Sequence, residues 1–252
     1  MEPEYEVRLQ LNPDIVLEHN GKLRETVLST FNMPRTVTKL NVQFLDTECK
    51  EIYSAGWSPR IRKTENEDDI ELTYKKRYPI TDGDIDAALS MARKDGFDAR
   101  AAKYEAQVEW GYRNHTLSIS RKKSVTDDKD NGMELPGTKE SRRMLIDEAP
   151  DKFDNWKHSE WGTDALSNSR IFGPVLARRS TGTWSGMKLF LEVWPLLNAA
   201  RTKIEYIVEA SFKTDSRTTA LEEQRRLAGF LQSRGWFLPQ DALKTHLIME
   251  RY

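Results

Sequence analysis

Closely spaced basic and acidic side chains between positions 41 and 76 are the residues of this sequence with the clearest capacity for chemistry. Arg60 and Arg62 are separated by one apolar residue, and Glu71, Thr73 and Lys75 follow at every second position of a later segment. Side chains two residues apart on a strand point to the same face, so each set shares a face. Guanidinium groups match phosphate oxygens bidentately. The pattern therefore indicates a surface suited to a polyanion.

A pair of carboxylates near the beginning of the sequence has the spacing to hold a metal ion. Glu4 and Glu6 lie two positions apart, followed by Arg8, and on a strand they would share a face about 7 Å apart. Carboxylate oxygens are ligands that Mg²⁺ prefers. The same spacing is also typical of a solvated strand face, so the pair alone does not establish a metal site.

The segment 41–76 predicts the elements that position the basic residues. Three short stretches alternate with a period of two and are separated by turn-like residues, which is typical of strands joined by short connections. Ile70, Leu72 and Tyr74 form the apolar face opposite Glu71 and Lys75. The ordinary interpretation is an antiparallel sheet with its charged face in water. The alternative is that the charged face lines a channel and binds a phosphate chain.

Five later segments alternate in the same way and predict two hairpins and one long strand: 104–110 with 116–120, 174–179 with 188–194, and 201–213. Lys188, Phe190 and Glu192 share one face, and Glu205 and Glu209 share another. Each of these faces carries charge, as the segment 41–76 does. Repetition over so many segments favours a channel over independent wet faces.

Two features of the last third concern the direction in which basic side chains point. Arg178 and Arg179 are adjacent, so only one can point inward, and the sequence does not decide which. Lys244 near the end is expected to be a surface lysine rather than an inward-facing cation. Helices are predicted over 13–31, 81–96 and 215–234, with helical fragments over 141–172 and a polar loop over 121–141.

Composition limits the class of protein. The chain has 252 residues with a net charge of -1, so an anion site must come from local clustering and no nucleic-acid partner is expected. The aromatic content of 10% argues against disorder. The lone Cys49 excludes an internal disulfide framework. No signal peptide or membrane helix is expected. These features predict a cytoplasmic protein of undetermined oligomeric state.

The order of these motifs resembles the CYTH superfamily of triphosphate tunnel metalloenzymes. Its members include thiamine triphosphatases, inorganic triphosphatases, some bacterial adenylyl cyclases and fungal messenger-RNA triphosphatases. The matching motifs are Glu4-x-Glu6-x-Arg8, Arg60-Ile61-Arg62 and the segment from Glu71 to Lys75. Arg8 stands where the family has lysine, which keeps the charge and changes the donor geometry.

The resemblance implies an α+β fold. Its core would be an antiparallel closed β-barrel, or tunnel, of about eight strands with flanking helices. A single domain would span 1–252, with an unmatched loop and helical insert at about 121–172.

The resemblance also implies roles for individual residues. Basic residues would bind the substrate phosphates: Arg8, Arg60, Arg62, Lys75, Lys188, and Arg178 or Arg179. Carboxylates would bind Mg²⁺ or Mn²⁺: Glu4, Glu6, Glu192 and Glu209. Of these, Glu4, Glu6 and Glu209 would also act in catalysis.

Three functions follow as hypotheses. The first is a divalent-metal-dependent hydrolase of an inorganic or organic triphosphate, with a small phosphorylated molecule as its substrate. The second is a lyase or cyclase that ionises an organic diphosphate, such as a prenyl diphosphate, in the same tunnel; Phe190, Ile207 and Trp residues would then shape an apolar pocket. The third is a non-catalytic binder of polyphosphate or nucleotide. A barrel interior that is half apolar would favour the lyase or cyclase, and an entirely charged interior would favour the hydrolase.

Overall fold

The computed structural model describes residues 2–97, 104–126 and 132–252. Ten strands lie within these ranges: β1 (Glu4–Leu11), β2 (Thr38–Asp46), β3 (Trp57–Thr64), β4 (Asp69–Ile80), β5 (Glu105–Trp110), β6 (His115–Thr126), β7 (Arg170–Trp184), β8 (Met187–Leu197), β9 (Ile204–Thr214) and β10 (Phe237–Leu238). The period-two alternation of the sequence correctly predicts most of these strands, because one face of each is buried.

The strands form one sheet that closes on itself. Their order is β10-β1-β5-β6-β4-β3-β2-β7-β8-β9, and β1 also pairs with β9. Nine strands, β1 to β9, therefore make a closed barrel, and the short β10 pairs with the end of β1. The α+β barrel with flanking helices is confirmed, with one strand more than predicted.

One pair of strands in the barrel is parallel. β1 pairs with β5 in parallel register, with Glu4 opposite Gln107 and Glu6 opposite Glu109, whereas the other barrel pairs are antiparallel. A ring with an odd number of strands cannot alternate direction throughout, so closure of nine strands requires such a pair. The expectation of an entirely antiparallel barrel is corrected in this respect.

Helices flank the barrel within the described residues: α1 (Pro13–Val16), α2 (Glu25–Thr30), α3 (Glu51–Ser54), α4 (Ile85–Lys94), α5 (Thr138–Asp147), α6 (Asp151–Asp154), α7 (Trp161–Ser167), α8 (Arg217–Ser233) and α9 (Lys244–Arg251). The predicted helix 13–31 is wrong, because a turn around Gly21 separates α1 from α2. Gly21 has φ +71°, a left-handed conformation that does not occur within a right-handed helix and favours glycine.

The predicted loop 121–141 is also partly wrong. β6 continues to Thr126 because Arg121 to Thr126 pair with β4 as far as Asp69. Positions 127–131 of that loop lie outside the described residues. The helical fragments that follow pack on the outside of the barrel, where Phe153 and Trp156 lie edge-on to the Trp57 ring with centroids 5.4 and 5.5 Å apart. This segment is a packing cover.

Two hydrophobic clusters lie on opposite sides of the barrel wall. The larger cluster fills the space between the outer wall and the helices and includes Trp57, Tyr74 and Leu227. The smaller cluster joins the inner faces of β2, β7 and β8 to α9, through residues such as Val42, Val175 and Ile248. Part of the barrel interior is therefore apolar. In the described ranges, no helix combines the length and apolar character needed to cross a membrane.

Candidate functional site: a charged cavity inside the barrel

A cavity of about 890 Å³ lies inside the barrel. Inward-facing residues of the charged strands line it, among them Glu6, Arg8, Arg62 and Lys75, and β2 contributes Val42. Basic side chains outnumber acidic ones among the lining residues. The alternation seen in the sequence thus places the charged faces inside the barrel, as the channel interpretation predicts.

Five cations on β1, β3 and β4 form what we call the basic wall: Arg8, Arg60, Arg62, Lys75 and Arg77. On β3 and β4, Arg60 lies opposite Thr73 and Arg62 lies opposite Glu71. Directly opposed residues of an antiparallel pair share a face. The strand register therefore brings these side chains to one surface of the cavity.

Two guanidinium groups of the basic wall share one carboxylate. Arg60 Nη2 donates to Glu71 Oε1 at 2.6 Å, and Arg62 Nη2 donates to Glu71 Oε2 at 2.9 Å. The Nε atoms of Arg60, Arg62 and Arg77 are buried and have no hydrogen-bond partner among the described residues. Buried donors normally find a partner, so the basic wall has donor capacity that the protein itself leaves unused.

A second carboxylate serves the other three cations of the wall. Glu109 on β5 is 5% exposed and lies 3.0 Å from Lys75 Nζ, 3.3 Å from Arg8 Nη1 and 3.6 Å from Arg77 Nε. Arg8 also donates to Glu6 Oε2 at 2.5 Å. Five cations therefore share three carboxylates, Glu6, Glu71 and Glu109. The wall keeps an excess of positive charge.

The pKa values of the basic wall reflect this excess. Burial, together with repulsion from Arg77 and Arg8 that Glu109 only partly offsets, lowers the pKa of Lys75 to about 8. Burial and the neighbouring Arg62 lower the pKa of Arg60 to about 10. Burial opposes ionisation of Glu109, but Arg8, Lys75 and Arg77 outweigh it and hold the pKa of Glu109 well below its usual value. An added anion would stabilise the charged forms of Lys75 and Arg60.

Another part of the cavity, next to β1, holds a different arrangement, which we call the Lys244 corner: Arg179, Glu192, Glu209 and Lys244. Lys244 Nζ on α9 donates to Glu192 Oε2 at 2.7 Å and to Glu209 Oε1 at 2.6 Å. Arg179 Nη2 donates to Glu192 Oε1 at 2.7 Å. Two cations here match two carboxylates, so the corner is balanced. Lys244, which the sequence favours as a surface lysine, lies inside the barrel instead.

In the Lys244 corner, burial and ion pairing have opposing effects on the pKa of each group, and the net direction differs between the two carboxylates. Burial opposes ionisation of Glu192, yet Lys244 and Arg179 hold its pKa well below the usual value. Burial raises the pKa of Glu209 despite the nearby Lys244 and Arg8. Burial alone would lower the pKa of Lys244, but the two carboxylates raise it. The corner therefore holds a tightly coupled buried network.

Two pairs of carboxylates are the predicted ligands of a divalent metal: Glu4 with Glu6, and Glu192 with Glu209. Within the described residues, no three His, Cys, Asp or Glu side chains converge as a metal cage would require. Mg²⁺ is commonly held by one or two carboxylates together with substrate phosphates. All four predicted ligands already contact cations of the protein: Glu4 accepts from Lys213, Glu6 from Arg8, and Glu192 and Glu209 from Lys244. Glu4 and Glu6 are 38% and 17% exposed, against 7% and 2% for Glu192 and Glu209, so they are the pair more open to a metal that arrives with a phosphate chain.

The apolar part of the cavity lies on β2 and its neighbours, and we call it the apolar wall: Leu40, Val42, Phe44, Trp194 and Ile248. On β2 and β3, Val42 lies opposite Arg62 and Phe44 lies opposite Arg60. The Trp194 indole N–H donates to Glu192 Oε2 at 2.9 Å. The interior is therefore divided, with a charged side and a hydrophobic side in contact.

The structure brings most of the predicted site residues to the cavity. Eight of them line it: Glu4, Glu6, Arg8, Arg60, Arg62, Lys75, Arg179 and Glu192. Glu209 lies behind the lining, where it contacts Lys244 and Gln10. Of the arginine pair, Arg178 turns away and donates to the Gly21 carbonyl, so Arg179 is the inward one. Lys188 is exposed near the end of β8, 5.1 Å from the Phe190 ring centroid.

Four lining cations are absent from the predicted set: Arg77, Lys122, Lys213 and Lys244. Arg77 follows Lys75 by two positions on β4, so continuing the alternation by one step would have found it. Lys213 likewise follows Glu209 on the same face of β9, and its Nζ donates to Glu4 Oε2 at 2.6 Å. Lys244 carries no such signal, because α9 reaches the cavity only through the tertiary fold.

Solved structures with the same fold are known. One similar structure is a protein from Hippeastrum, assigned as an adenylyl cyclase, with a dominant triphosphatase activity. It has a TM-score of 0.52 and 12% identity, over 96% of this chain and 93% of the other. The chain shares the fold of this protein.

A second structure with this fold is a protein from Bacillus halodurans assigned as an adenylate cyclase. It has a TM-score of 0.51 and 11% identity, over 97% of each chain. By sequence, no protein-family model matches the chain, and neither does any curated protein. The likeness is therefore one of fold.

Proposed function

We propose that the tunnel binds the phosphate chain of an inorganic or organic triphosphate and hydrolyses it with the help of a divalent metal. The observation that carries this proposal is the basic wall, where five cations share three carboxylates and three guanidinium Nε atoms have no hydrogen-bond partner among the described residues. A phosphate chain supplies both the negative charge and the acceptor oxygens that this wall needs.

The roles of the residues follow from phosphoryl-transfer chemistry, which depends on positioning and electrostatic stabilisation more than on a dedicated base. Arg60 and Arg62 would bind oxygens at one part of the chain, and Arg8 and Lys75 at another. Bound Mg²⁺ or Mn²⁺ would neutralise phosphate charge and polarise the reacting phosphoryl group. Glu4 and Glu6 are the carboxylates placed to hold it beside the phosphates.

The direct test is phosphate release from tripolyphosphate, ATP and thiamine triphosphate, with Mg²⁺, with Mn²⁺ and with EDTA. We expect release that requires the metal and falls in both Glu6→Gln and Arg62→Ala. Arg178→Ala is the matched control, because Arg178 points away from the tunnel. Equal release by Arg62→Ala and the parent would refute the assignment of the basic wall.

A second candidate function is favoured by the apolar wall. A lyase that ionises an organic diphosphate needs phosphate-binding groups on one side and a hydrophobic surface on the other. The tunnel has the basic wall, and the apolar-wall residues that reach its surface are Phe44 and Trp194, which are 6% and 7% exposed. In such a step the C–O bond breaks with its electron pair on the departing diphosphate, and the carbocation then loses a proton. Prenyl diphosphate belongs in the same assay, with release of inorganic pyrophosphate and a hydrocarbon as the readout. If the protein binds these phosphorylated compounds and converts none of them, the remaining hypothesis is a non-catalytic binder of polyphosphate or nucleotide.

A further inference from the structure

Lys244 lies between Glu192 and Glu209, which are two of the four predicted metal ligands. Its Nζ atom is 2.7 Å from Glu192 Oε2 and 2.6 Å from Glu209 Oε1. Carboxylate oxygens are also the ligands that Mg²⁺ and Mn²⁺ prefer. The ammonium group therefore occupies the position at which these two carboxylates converge.

Every oxygen of this carboxylate pair already accepts a hydrogen bond from the protein. Glu192 Oε1 accepts two bonds from the Arg179 guanidinium, and its Oε2 accepts from Lys244 and from an indole N–H. Glu209 Oε1 accepts from Lys244, and its Oε2 accepts from Gln10 Nε2 at 3.2 Å. A metal ion that bound here would have to displace these donors.

Glu4 and Glu6 are different in this respect. Glu4 Oε2 accepts from Lys213 and Gln107. Glu6 Oε2 accepts from Arg8. Over the residues that the structure describes, the Oε1 atom of neither carboxylate accepts a hydrogen bond. These two oxygens can therefore enter the coordination shell of a metal without breaking an ion pair.

The helix that carries Lys244 is anchored to the barrel at its other end. Arg251 Nη1 donates to the Leu197 carbonyl at 2.9 Å, and the Leu197 N–H donates to the Tyr252 hydroxyl at 3.2 Å. The Lys244 ammonium also lies 4.9 Å from the centroid of the Trp194 ring, within the range of a cation–π contact. The fold therefore holds this ammonium group in place between the two carboxylates.

The charge of the Lys244 corner also disfavours a metal ion. Arg179 and Lys244 balance Glu192 and Glu209. A divalent ion added to this buried group would leave two positive charges without partners, which is strongly unfavourable. Without Lys244 the corner would instead carry one net negative charge, and one oxygen of each carboxylate would lose its bond to the ammonium. Such a site favours a cation.

We infer that the Lys244 ammonium takes the place of a divalent metal between Glu192 and Glu209, leaving Glu4 and Glu6 as the pair that binds metal. Loss of Lys244 then creates a second divalent-metal site in the tunnel. This inference rests on the proposed metal-dependent function, and it adds the residue that limits the number of bound metal ions.

The test is to count the Mn²⁺ ions bound to the full chain by equilibrium dialysis, with imidotriphosphate present as a triphosphate whose P–N–P links resist hydrolysis. We expect Lys244→Ala to bind one Mn²⁺ ion more than the parent protein. In the absence of imidotriphosphate, Mn²⁺ at a hundred times its Kd should raise the melting temperature of Lys244→Ala by about 5–10 °C. The parent should show no comparable rise, because its Lys244 already neutralises the two carboxylates.

Two control variants locate the additional ion. Lys244→Arg keeps a cation at this position and should bind no more Mn²⁺ than the parent. The double variant Lys244→Ala/Glu209→Gln should lose the additional ion, because one of its two carboxylates is gone.

A second comparison serves if Lys244→Ala does not fold with or without Mn²⁺, as judged by circular dichroism. Glu209→Gln keeps the shape of the side chain and an oxygen for Lys244. We expect it to change the Mn²⁺ affinity of the imidotriphosphate complex by less than about twofold, whereas Glu6→Gln should weaken this affinity by about tenfold or more.

The outcomes separate this inference from the proposed function. If Glu209→Gln weakens Mn²⁺ binding as much as Glu6→Gln does, a metal displaces Lys244 and the inference is wrong. It is equally wrong if a folded Lys244→Ala gains neither a bound ion nor a higher melting temperature with Mn²⁺. If Glu6→Gln binds Mn²⁺ as tightly as the parent, the metal site of the proposed function is refuted, and the count in Lys244→Ala still decides the role of Lys244.

Discussion

The basic wall and the Lys244 corner use the same residue types and have different physical roles. On the basic wall, Glu71 and Glu109 are each shared by several cations, whereas in the corner Glu192 has its own Arg179 and shares Lys244 with Glu209. An incomplete balance leaves positive charge for a ligand. A complete balance leaves none and makes the pairing part of the folded structure. Charged residues inside one barrel can therefore serve either binding or stability, and the ratio of charges tells which.

Removing Lys244 should give the largest effect on stability. Lys244→Ala leaves Glu192 and Glu209 buried without their shared cation, and breaking such a buried pair costs about 3–5 kcal/mol. The free energy of unfolding from urea denaturation measures this. The control is Lys188→Ala, at an exposed lysine of β8, which should alter the free energy of unfolding by no more than about 0.5 kcal/mol. A loss below about 1 kcal/mol in Lys244→Ala would contradict the structural role of the corner.

Removing a cation of the basic wall should act on binding rather than on folding. Arg62→Ala deletes one charge-assisted contact to phosphate, so tripolyphosphate should bind about tenfold to a hundredfold more weakly. Stability should change little, because Glu71 keeps Arg60. Calorimetry without divalent metal measures the affinity, with Arg178→Ala as control. If Arg62→Ala loses as much stability as Lys244→Ala, the two regions do not differ as described.

Tripolyphosphate affinity should fall as the pH rises above about 8, the pKa to which burial, Arg77 and Arg8 lower Lys75. The bound anion stabilises the ammonium and raises this pKa, so affinity is complete below pH 8. Between the pKa values of the free and the bound protein it falls about tenfold per pH unit. Calorimetry from pH 7 to 10 tests this, and Lys75→Arg should flatten the profile. The same slope in Lys75→Arg would assign the titration to another group.

The smallest expected effect comes from removing a carboxylate of the basic wall. Although burial alone would raise the pKa of Glu71, Arg60 and Arg62 hold it below the usual value, so Glu71 is charged at neutral pH. Glu71→Gln frees both guanidinium groups, and tripolyphosphate binding should strengthen by about 0.5–1 kcal/mol. Glu105→Gln, at an exposed carboxylate near the mouth, is the matched control. Weaker binding in Glu71→Gln would show that Glu71 orients the arginines for the ligand.

The sequence by itself determined the strands and the inward charge of the basic wall. Alternation over β1, β3 and β4 is a local property, because side chains on a strand change face at every residue, and it correctly placed Glu6, Arg62 and Lys75 at the cavity. The order of the motifs was enough for the fold, which the structural comparisons confirm.

Only the tertiary structure decided which cations meet which carboxylates. The sequence does not distinguish Arg178 from Arg179, and only the register of β7 in the sheet decides which one points inward. Lys244 reaches Glu192 only because α9 packs against the inner faces of β2, β7 and β8. The division into a basic and an apolar wall arises in the same way, from the placing of β2 beside β3 in the closed sheet. Charge balance depends on distances between residues far apart in the chain, and such distances are set by packing rather than by local periodicity.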